Sequence, residues 1–258
     1  MKERKKLKSG MGWSTRDSIT VRGFDLTNDL LGKIDLGSMA FLEIRGRLPT
    51  PKEAETFNAL LITLVEHGMT PQAMAARLIN LAAPEALQAA VAAGLCGVGS
   101  VFAGGSEQIA KVLQEAFKNR KEDASIASMA EAIVADFSAR KQPIPGIGHP
   151  LHKPIDPRTP VLFAIAERNG FRGQYVALLE EISKQAEGRL KRELPINATG
   201  AIGAILCELD FPWRICRGIA VISRAVGLVG HLSEEMQNPL AREMWERAEQ
   251  EVFDNRDP

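Results

Sequence analysis

Residues 143–160 read Pro143-Ile144-Pro145-Gly146-Ile147-Gly148-His149-Pro150-Leu151-His152-Lys153-Pro154-Ile155-Asp156-Pro157-Arg158-Thr159-Pro160. This is the one long interruption in a chain that otherwise repeats helical spacing. Loops of such length are functional or disordered. Closely spaced prolines restrict the backbone, so an ordered loop is expected here. Gly146 and Gly148 project no Cβ, which lets a ligand approach the neighbouring backbone N–H groups. His149 is a candidate acid or base near neutral pH, and Arg158 offers a planar fork for a carboxylate. A rigid surface turn with a solvated imidazole is the simpler alternative.

On both sides of this loop the pattern is helical. Thr50-Pro51-Lys52-Glu53 sets a cap, a first-turn proline and a capping-box glutamate in order, ahead of Phe57, Leu60, Leu61, Leu64 and Val65 at helical spacing. Thr70-Pro71 and Thr159-Pro160 repeat the cap-proline signature, and Ala83-Pro84-Glu85 opens a helix through Leu87, Val91, Leu95 and Val98. Its apolar residues encircle the axis, which predicts close packing inside the protein or at a helix-helix dimer contact. Further helices are expected over 109–117, 129–137, 161–167, 175–190, 202–209 and 213–229, with a polar closing helix from Glu234. Only Ser18-Ile19-Thr20-Val21-Arg22, before Gly23, reads as a short strand. The expected fold class is therefore all-α, without internal repeats.

Composition narrows the function classes. Among 258 residues, 45% are hydrophobic and 25% charged, enough for a sizeable core and far from a disordered composition. The 32 basic side chains balance the 32 acidic ones, which gives no support for nucleic-acid or anionic-membrane binding. The basic run from Lys2 to Lys8 lacks the apolar centre of a secretory signal and reads as a solvated arm. Cys96, Cys207 and Cys216 lie in apolar surroundings without metal-ligand spacing, as expected for buried thiols of a cytoplasmic protein. The apolar stretch from Ile215 to Leu232 carries Arg217, Arg224 and His231, which favours a buried helix over a membrane span.

Two more segments carry candidate chemistry. Within Ser223-Arg224-Ala225-Val226-Gly227-Leu228-Val229-Gly230-His231, Arg224 needs water or an anionic partner, supplied by a structural carboxylate or by a substrate. Leu194-Pro195-Ile196-Asn197-Ala198-Thr199-Gly200 reads as a link that caps a following apolar helix.

Gly146-Ile147-Gly148-His149-Pro150 followed by Asp156-Pro157-Arg158 resembles the G-x-G-H…D-P-R block of the citrate synthase superfamily. The likeness extends over Ser18 to Gly23, Gly46 to Thr50, Val98 to Ser100 with Gly104-Gly105, Asn197 to Gly200, and Ser223-Arg224 to His231. Within that superfamily the chain is most similar to citryl-CoA lyases and the citryl-CoA lyase module of ATP-citrate lyase. The resemblance implies a large helical domain, residues 1–104 and 208–258, and a smaller closing domain, residues 105–207, assembled at least as a homodimer. It implies a coenzyme A thioester as substrate, with Pro145, Gly146, Ile147 and Gly148 against the adenine end. It also implies that His149 meets the oxygen on the reacting carbon, that Arg158 and Arg224 hold carboxylates, and that His67 binds substrate.

Two positions depart from the family pattern. Ala103, before Gly104-Gly105, stands where citrate synthases carry a histidine that polarises the acetyl thioester, a change shared with the lyase branch. Thr199 stands where both branches carry an aspartate that exchanges a proton with the acetyl α-carbon. A threonine hydroxyl is no substitute for a carboxylate base. The expected activity is therefore cleavage of citryl-CoA or a related 3-hydroxy-acyl-CoA rather than citrate synthesis. His149 is expected to take the hydroxyl proton, Thr199 to contact the thioester methylene, and a Thr199-bound water or a displaced acid such as Glu107 to protonate the enolate. No metal is required, since the thioester stabilises the enolate. The alternatives are an acyl-CoA hydrolase in which His149 activates water, and a non-catalytic acyl-CoA-binding homologue.

Overall fold

The structure, a computed structural model, describes residues 7–256, so the basic run from Lys2 lies outside the described residues up to position 6. The chain divides into two compact units between Asn58 and Ala59. The first holds a three-stranded antiparallel sheet, β1 (Gly12–Ser14), β2 (Ile19–Val21) and β3 (Phe24–Asp25), in that order, with Trp13 opposite Thr20 and Val21 opposite Phe24. The expected strand is thus the central one. Its partners are only three and two residues long, too short to show an alternating pattern. A π-helical turn, Leu26–Leu30, and α1 (Leu36–Arg45) follow.

Helix α2 (Pro51–Val65) begins where the capping signature places it. Thr50 N–H donates to Glu53 Oε2 at 2.8 Å and Glu53 N–H to Thr50 Oγ1 at 3.3 Å, a reciprocal capping box that Arg47 braces with two hydrogen bonds to the same carboxylate.

The second unit contains α3 (Pro71–Ala82), α4 (Leu87–Cys96), α5 (Gly105–Lys118), α6 (Ile126–Ala139), α7 (Arg158–Asn169), α8 (Gln174–Leu190), α9 (Ala198–Glu208), α10 (Cys216–Gln237) and α11 (Ala241–Asp254), with a single 3-10 turn at Trp213–Ile215. Helices α3, α4, α10 and α11 pack together, and α5, α7 and α8 pack around α9, with α6 against α8. Every residue of α9 from Gly200 to Cys207 is buried, which its run of Ala, Gly, Ile and Leu allows. On α4, a Cβ at Gly94 would lie 2.7 Å from Leu228 of α10 and 2.9 Å from the Gln72 carbonyl of α3, so Gly94 and the buried Ala90 serve close packing inside the unit, whereas Ala89 and Ala92 are exposed. α10 is long and apolar enough to cross a membrane, yet half of that stretch is buried within the protein.

Four local expectations need correction. Thr159 does not cap α7: Asp156 Oδ1 accepts from Arg158 N–H one turn earlier, and Thr159 Oγ1 donates instead to the Ile196 carbonyl at 2.8 Å. Residues 84–85 form a turn, and α4 starts at Leu87. The polar closing helix starts at Ala241 rather than Glu234, because Glu235 is buried in α10 and its Oε1 caps α11 through Leu240 and Ala241 N–H. Cys207 and Cys216 are buried, but Cys96, last residue of α4, is exposed.

The α5–α9 contact has no spare room. A Cβ at Gly203 would sit 2.4 Å from Ile109 Cγ2 and 2.7 Å from the Ser106 carbonyl, whereas one at Gly188 in α8 meets nothing. Gly203→Ala is expected to cost about 1–3 kcal/mol through overpacking. Gly188→Ala is expected to gain about 0.5–1 kcal/mol by restricting the unfolded chain. Urea midpoints of the two variants, moving in opposite directions, check the pair.

Candidate functional site

The loop quoted at the outset is held at both ends by α9. Gly146 (φ +78) approaches Gly200 so closely that a Cβ there would lie 2.6 Å from the Gly200 Cα, and a Cβ on Gly200 would lie 2.2 Å from the Gly146 carbonyl oxygen. Asn197 N–H donates to that carbonyl at 3.0 Å, Gly148 N–H donates to Pro195 O at 2.7 Å, and Asn197 Nδ2 donates to Gly148 O at 2.7 Å. The Ile147 N–H is spent on Ile144 O. The N–H groups of Ile147 and Gly148 are therefore consumed within the fold and not offered to a ligand. The glycines serve the left-handed turn and the contact with α9.

At the far end of the loop, Asp156 is fully buried. Its carboxylate accepts from Arg158 N–H, Nε and Nη2 and from Ala198 N–H at 2.8–3.1 Å. Burial raises its pKa, but the Arg158 pair and the two backbone donors outweigh that and hold it near about 2. One carboxylate thus aims Arg158 and joins the first turns of α7 and α9.

A cavity of about 350 Å³ opens over these elements, lined by Thr63, Leu64, His67, Thr70, Gln72, Val101, Phe102, Ala103, Gly148, His149, Pro150, Arg158, Asn197, Ala198, Thr199 and Arg224. All five side chains expected to act on or bind the substrate, namely His67, His149, Arg158, Thr199 and Arg224, meet here. Of the four residues expected against the adenine end, Gly148 lines this cavity, Pro145 lines a larger one of about 750 Å³ along α5 and α6, and Ile147 lines a third of about 430 Å³ with Ile144, Lys141 and Arg192. Gly146 is buried beneath them.

The hydrogen bonds fix what each group can do. His149 Nδ1 accepts from the backbone N–H of Leu151 (3.1 Å) and of His152 (2.9 Å). A neutral imidazole with both donors on Nδ1 carries its hydrogen on Nε2, so His149 presents a donor and no second lone pair. Burial lowers its pKa, and the neighbouring His152 ring, stacked at 4.3 Å, lowers it further. His67, whose centroid is 6.4 Å from that of His149, is lowered first by burial and then by Arg158 and Arg224. Thr199 Oγ1 donates to Asn197 Oδ1 at 2.7 Å, and that oxygen also caps α9 through Gly200 N–H, so the hydroxyl faces the cavity as an acceptor. Arg224 is 6% exposed, and its Nε and Nη1 are buried without a hydrogen-bond partner.

Glu107 is ion-paired with Arg217 and does not line the cavity. Among the described residues no three His, Cys, Asp or Glu side chains converge as a metal site, His67, His149 and His152 included. Sequence reasoning missed three supports. Asn197 locks both the loop and Thr199. Glu66 Oε1 accepts from His67 N–H at 2.9 Å and from Gly68 N–H, shaping the turn that carries His67. His231 holds Glu66, its Nε2 being 2.9 Å from Glu66 Oε2, while its Nδ1 accepts from Arg77 Nη2 at 2.9 Å. The capping role of the Asn197 segment is read from the sequence; its side-chain bonds to Gly148 and Thr199 are not. The link from Arg77 to Glu66 runs through His231, more than 150 residues further along the chain, and left no signal.

Comparison with known proteins gives consistent results. The family profile described as "Citrate synthase, C-terminal domain" matches residues 33–247. The solved structure of citryl-CoA lyase from Hydrogenobacter thermophilus superposes with a TM-score of 0.81 at 32% identity, covering 90% of this chain and 88% of that one. ATP citrate lyase from Methanothrix soehngenii, solved in complex with citrate and coenzyme A, shares the fold at a TM-score of 0.79 and 20% identity, over 92% of this chain and 40% of that one. Among curated relatives, the "Putative citrate synthase 2" of Mycobacterium tuberculosis is 27% identical over 192 residues, 72% of this chain and 49% of its own length. The citrate synthase of Synechocystis is 26% identical over 212 residues, 79% and 50% respectively. The chain spans about half the length of these curated relatives.

Because the Asp156 pKa is held below its ordinary value, its contribution to stability is present above the unfolded carboxylate value and is lost as pH falls through about 2. Asp156→Asn is expected to cost about 2–3 kcal/mol at neutral pH, from the depressed pKa. The gap to wild type should narrow below about pH 4. Urea unfolding of both proteins from neutral pH to pH 3 measures this.

Proposed function

This chain belongs to the citrate synthase family, and we propose that within it the chain is a coenzyme A-dependent carbon-carbon lyase. The reaction in this reading is cleavage of citryl-CoA or a related 3-hydroxy-acyl-CoA to acetyl-CoA and a 2-oxo acid or other carbonyl product. The observation that carries it is the set of groups in the 350 Å³ cavity: two guanidinium groups together with the Nε2–H of His149 and, among the described residues, no carboxylate to serve as carbon base. Deprotonating the methyl group of acetyl-CoA, as synthesis demands, needs a base that Thr199 does not supply. Cleavage starts instead from an alcohol proton, which is far more acidic. The similarity to citryl-CoA lyase over nine-tenths of both chains supports the same direction.

In this reading Arg224, buried and unpartnered, takes one substrate carboxylate, and Arg158 takes a second with the part of its guanidinium that Asp156 leaves free. His149 Nε2–H donates to the oxygen on the carbon that becomes the carbonyl. The thioester end lies toward Thr199 and Ala103. The residues Ile147 and Gly148, adjacent in sequence, line different cavities, so a chain-like thioester passing over the loop reaches the 430 Å³ cavity. Its apolar Ile144, Ile147 and Leu194 with Lys141 and Arg192 suit an adenine and its phosphates. Helices α5–α9 form the closing domain in this reading. The exposed Met74, Leu78 and Ile79 on α3 and Val226 and Val229 on α10 support assembly as a homodimer.

The curated relatives named citrate synthase favour a second reading, condensation of acetyl-CoA with oxaloacetate. Incubation with citryl-CoA, with other 3-hydroxy-acyl-CoAs and with acetyl-CoA plus oxaloacetate, resolved by mass, separates the two. Acetyl-CoA release without citrate formation is expected. Free coenzyme A without acetyl-CoA would mean hydrolysis, and no turnover at all would mean a binding protein. Thr199→Asp is expected to raise deuterium exchange into the acetyl-CoA methyl group by at least about a hundredfold, the lower end of a general base's worth.

A further inference from the structure

We propose that His67 is the general base of the cleavage, taking the proton of the substrate hydroxyl while His149 donates its Nε2–H to the same oxygen. This assignment rests on the lyase reading above and reverses the division of labour the sequence suggests, in which His149 takes that proton.

Carbon-carbon cleavage requires the hydroxyl proton to leave as its electron pair becomes the carbonyl π bond. The breaking bond's pair passes to the carbon next to the thioester, which takes up one proton from the base or from water, so protons balance over the turnover. No aspartate or glutamate lines the cavity among the described residues. The nearest carboxylates are committed. Asp156 accepts four hydrogen bonds, and Glu66 serves His231 and the N–H groups of His67 and Gly68. The guanidinium groups of Arg158 and Arg224 have no lone pair to give, and Thr199 is too weak a base. His152 is stacked on His149 and does not line the cavity, which leaves two imidazoles. His149 has spent its Nδ1 lone pair on the backbone N–H groups of Leu151 and His152 and already carries its hydrogen on Nε2, so neither of its nitrogens is open to a proton. Neither ring nitrogen of His67 is hydrogen-bonded among the described residues, and a neutral imidazole with a free nitrogen lone pair accepts a proton directly.

The distances allow both contacts at once. An oxygen in hydrogen-bond contact with two imidazole nitrogens lies about 4 Å from each ring centroid. Two such legs close a triangle on the 6.4 Å that separates the centroids of His67 and His149. The rings stand at 80° to one another, edge toward face, so the same oxygen does not require them to stack. The groups facing His67 are Arg158, Arg224, His152 and Asp156, with His149 across the cavity and Glu66 preceding it in the chain. Burial and the two arginines favour the uncharged ring, and Asp156 opposes them only weakly. His67 is thus ready to accept in the free protein. The bound carboxylates, by neutralising Arg158 and Arg224, raise its basicity when substrate is present.

The experiment compares His67→Gln, His67→Ala and His149→Gln with the wild type in citryl-CoA cleavage across pH. Wild-type kcat/KM is expected to fall on the acid side with a midpoint below the ordinary histidine value of about 6.5. His67→Gln is expected to lower kcat by about 10²–10⁴ with KM within a few-fold, and to abolish that acid limb. His67→Ala is expected to regain part of the rate with added imidazole. His149→Gln, which keeps an N–H donor, is expected to be slower but to retain the limb. A His67→Gln protein with raised KM, unchanged kcat and the acid limb intact overturns the assignment and leaves a binding role only. Loss of the limb in His149→Gln but not in His67→Gln overturns it as well. A wild type that cleaves none of the 3-hydroxy-acyl-CoAs, while still binding coenzyme A, overturns the lyase reading itself and this assignment with it.

Discussion

The Asp156 carboxylate is the joint on which the site depends. It is fully buried, yet it carries charge because four donors reach it: three from Arg158 and one from the first residue of α9. A buried, unpaired carboxylate would cost several kcal/mol and would protonate instead. Here the desolvation is offset by hydrogen bonds that also fix geometry. The same two oxygens set the start of α7, the start of α9 and the direction of the Arg158 guanidinium. The loop between Gly146 and Asp156 is then closed at its other end by the contact of Gly146 with Gly200. Its prolines stiffen what lies between, so His149 is presented from a segment tethered twice to a single buried helix.

That tethering decides protonation states as much as positions. The two backbone N–H groups on His149 Nδ1 leave only one neutral tautomer, and Asn197 turns the Thr199 hydroxyl so that it accepts from the cavity. In each case a neighbouring group, not the side chain's intrinsic chemistry, determines whether it donates or accepts. A histidine in a Gly-x-Gly-His loop reads as an acid or a base with equal right until its second nitrogen is accounted for.

Much of the architecture was legible. The cap-proline pairs at Thr50-Pro51 and Thr70-Pro71 mark helix starts because proline costs nothing in a first turn whose N–H groups have no partner. Thr159-Pro160 failed because Asp156, a stronger acceptor one turn earlier, captures the helix start, a competition that spacing alone does not rank. The break at Asn238-Pro239 was missed because Glu235, an apparently solvated residue, turns inward to Arg77. The gathering of His67, His149, Arg158, Thr199 and Arg224 followed from a resemblance of ordered motifs rather than from any one of them. What stayed hidden were the long-range polar links: Glu66 with His231, and Asn197 with Gly148, whose partners are set by tertiary packing and carry no periodic signal.

The two buried arginines of α3 and α10 show why an anion belongs in the cavity. Arg77 is fully buried, and the fold meets its charge with Glu235 at 2.6 Å, with Glu234 and with His231 Nδ1. Arg224 is almost as deeply buried on α10, yet Nε and Nη1 have no partner, and burial draws its pKa down with only Glu66 acting against it. A fold that supplies acceptors so fully to one guanidinium is not careless with another on a helix packed against it. Leaving Arg224 unsatisfied costs stability that a partner carboxylate from the chain would recover, as Glu235 does for Arg77. The cavity therefore keeps an uncompensated positive charge beside two imidazoles held neutral, with Arg158 already half engaged by Asp156. In the proposed reading a ligand carrying carboxylates is stabilised on entry by both arginines, and its hydroxyl arrives between a ring that can only donate and a ring free to accept.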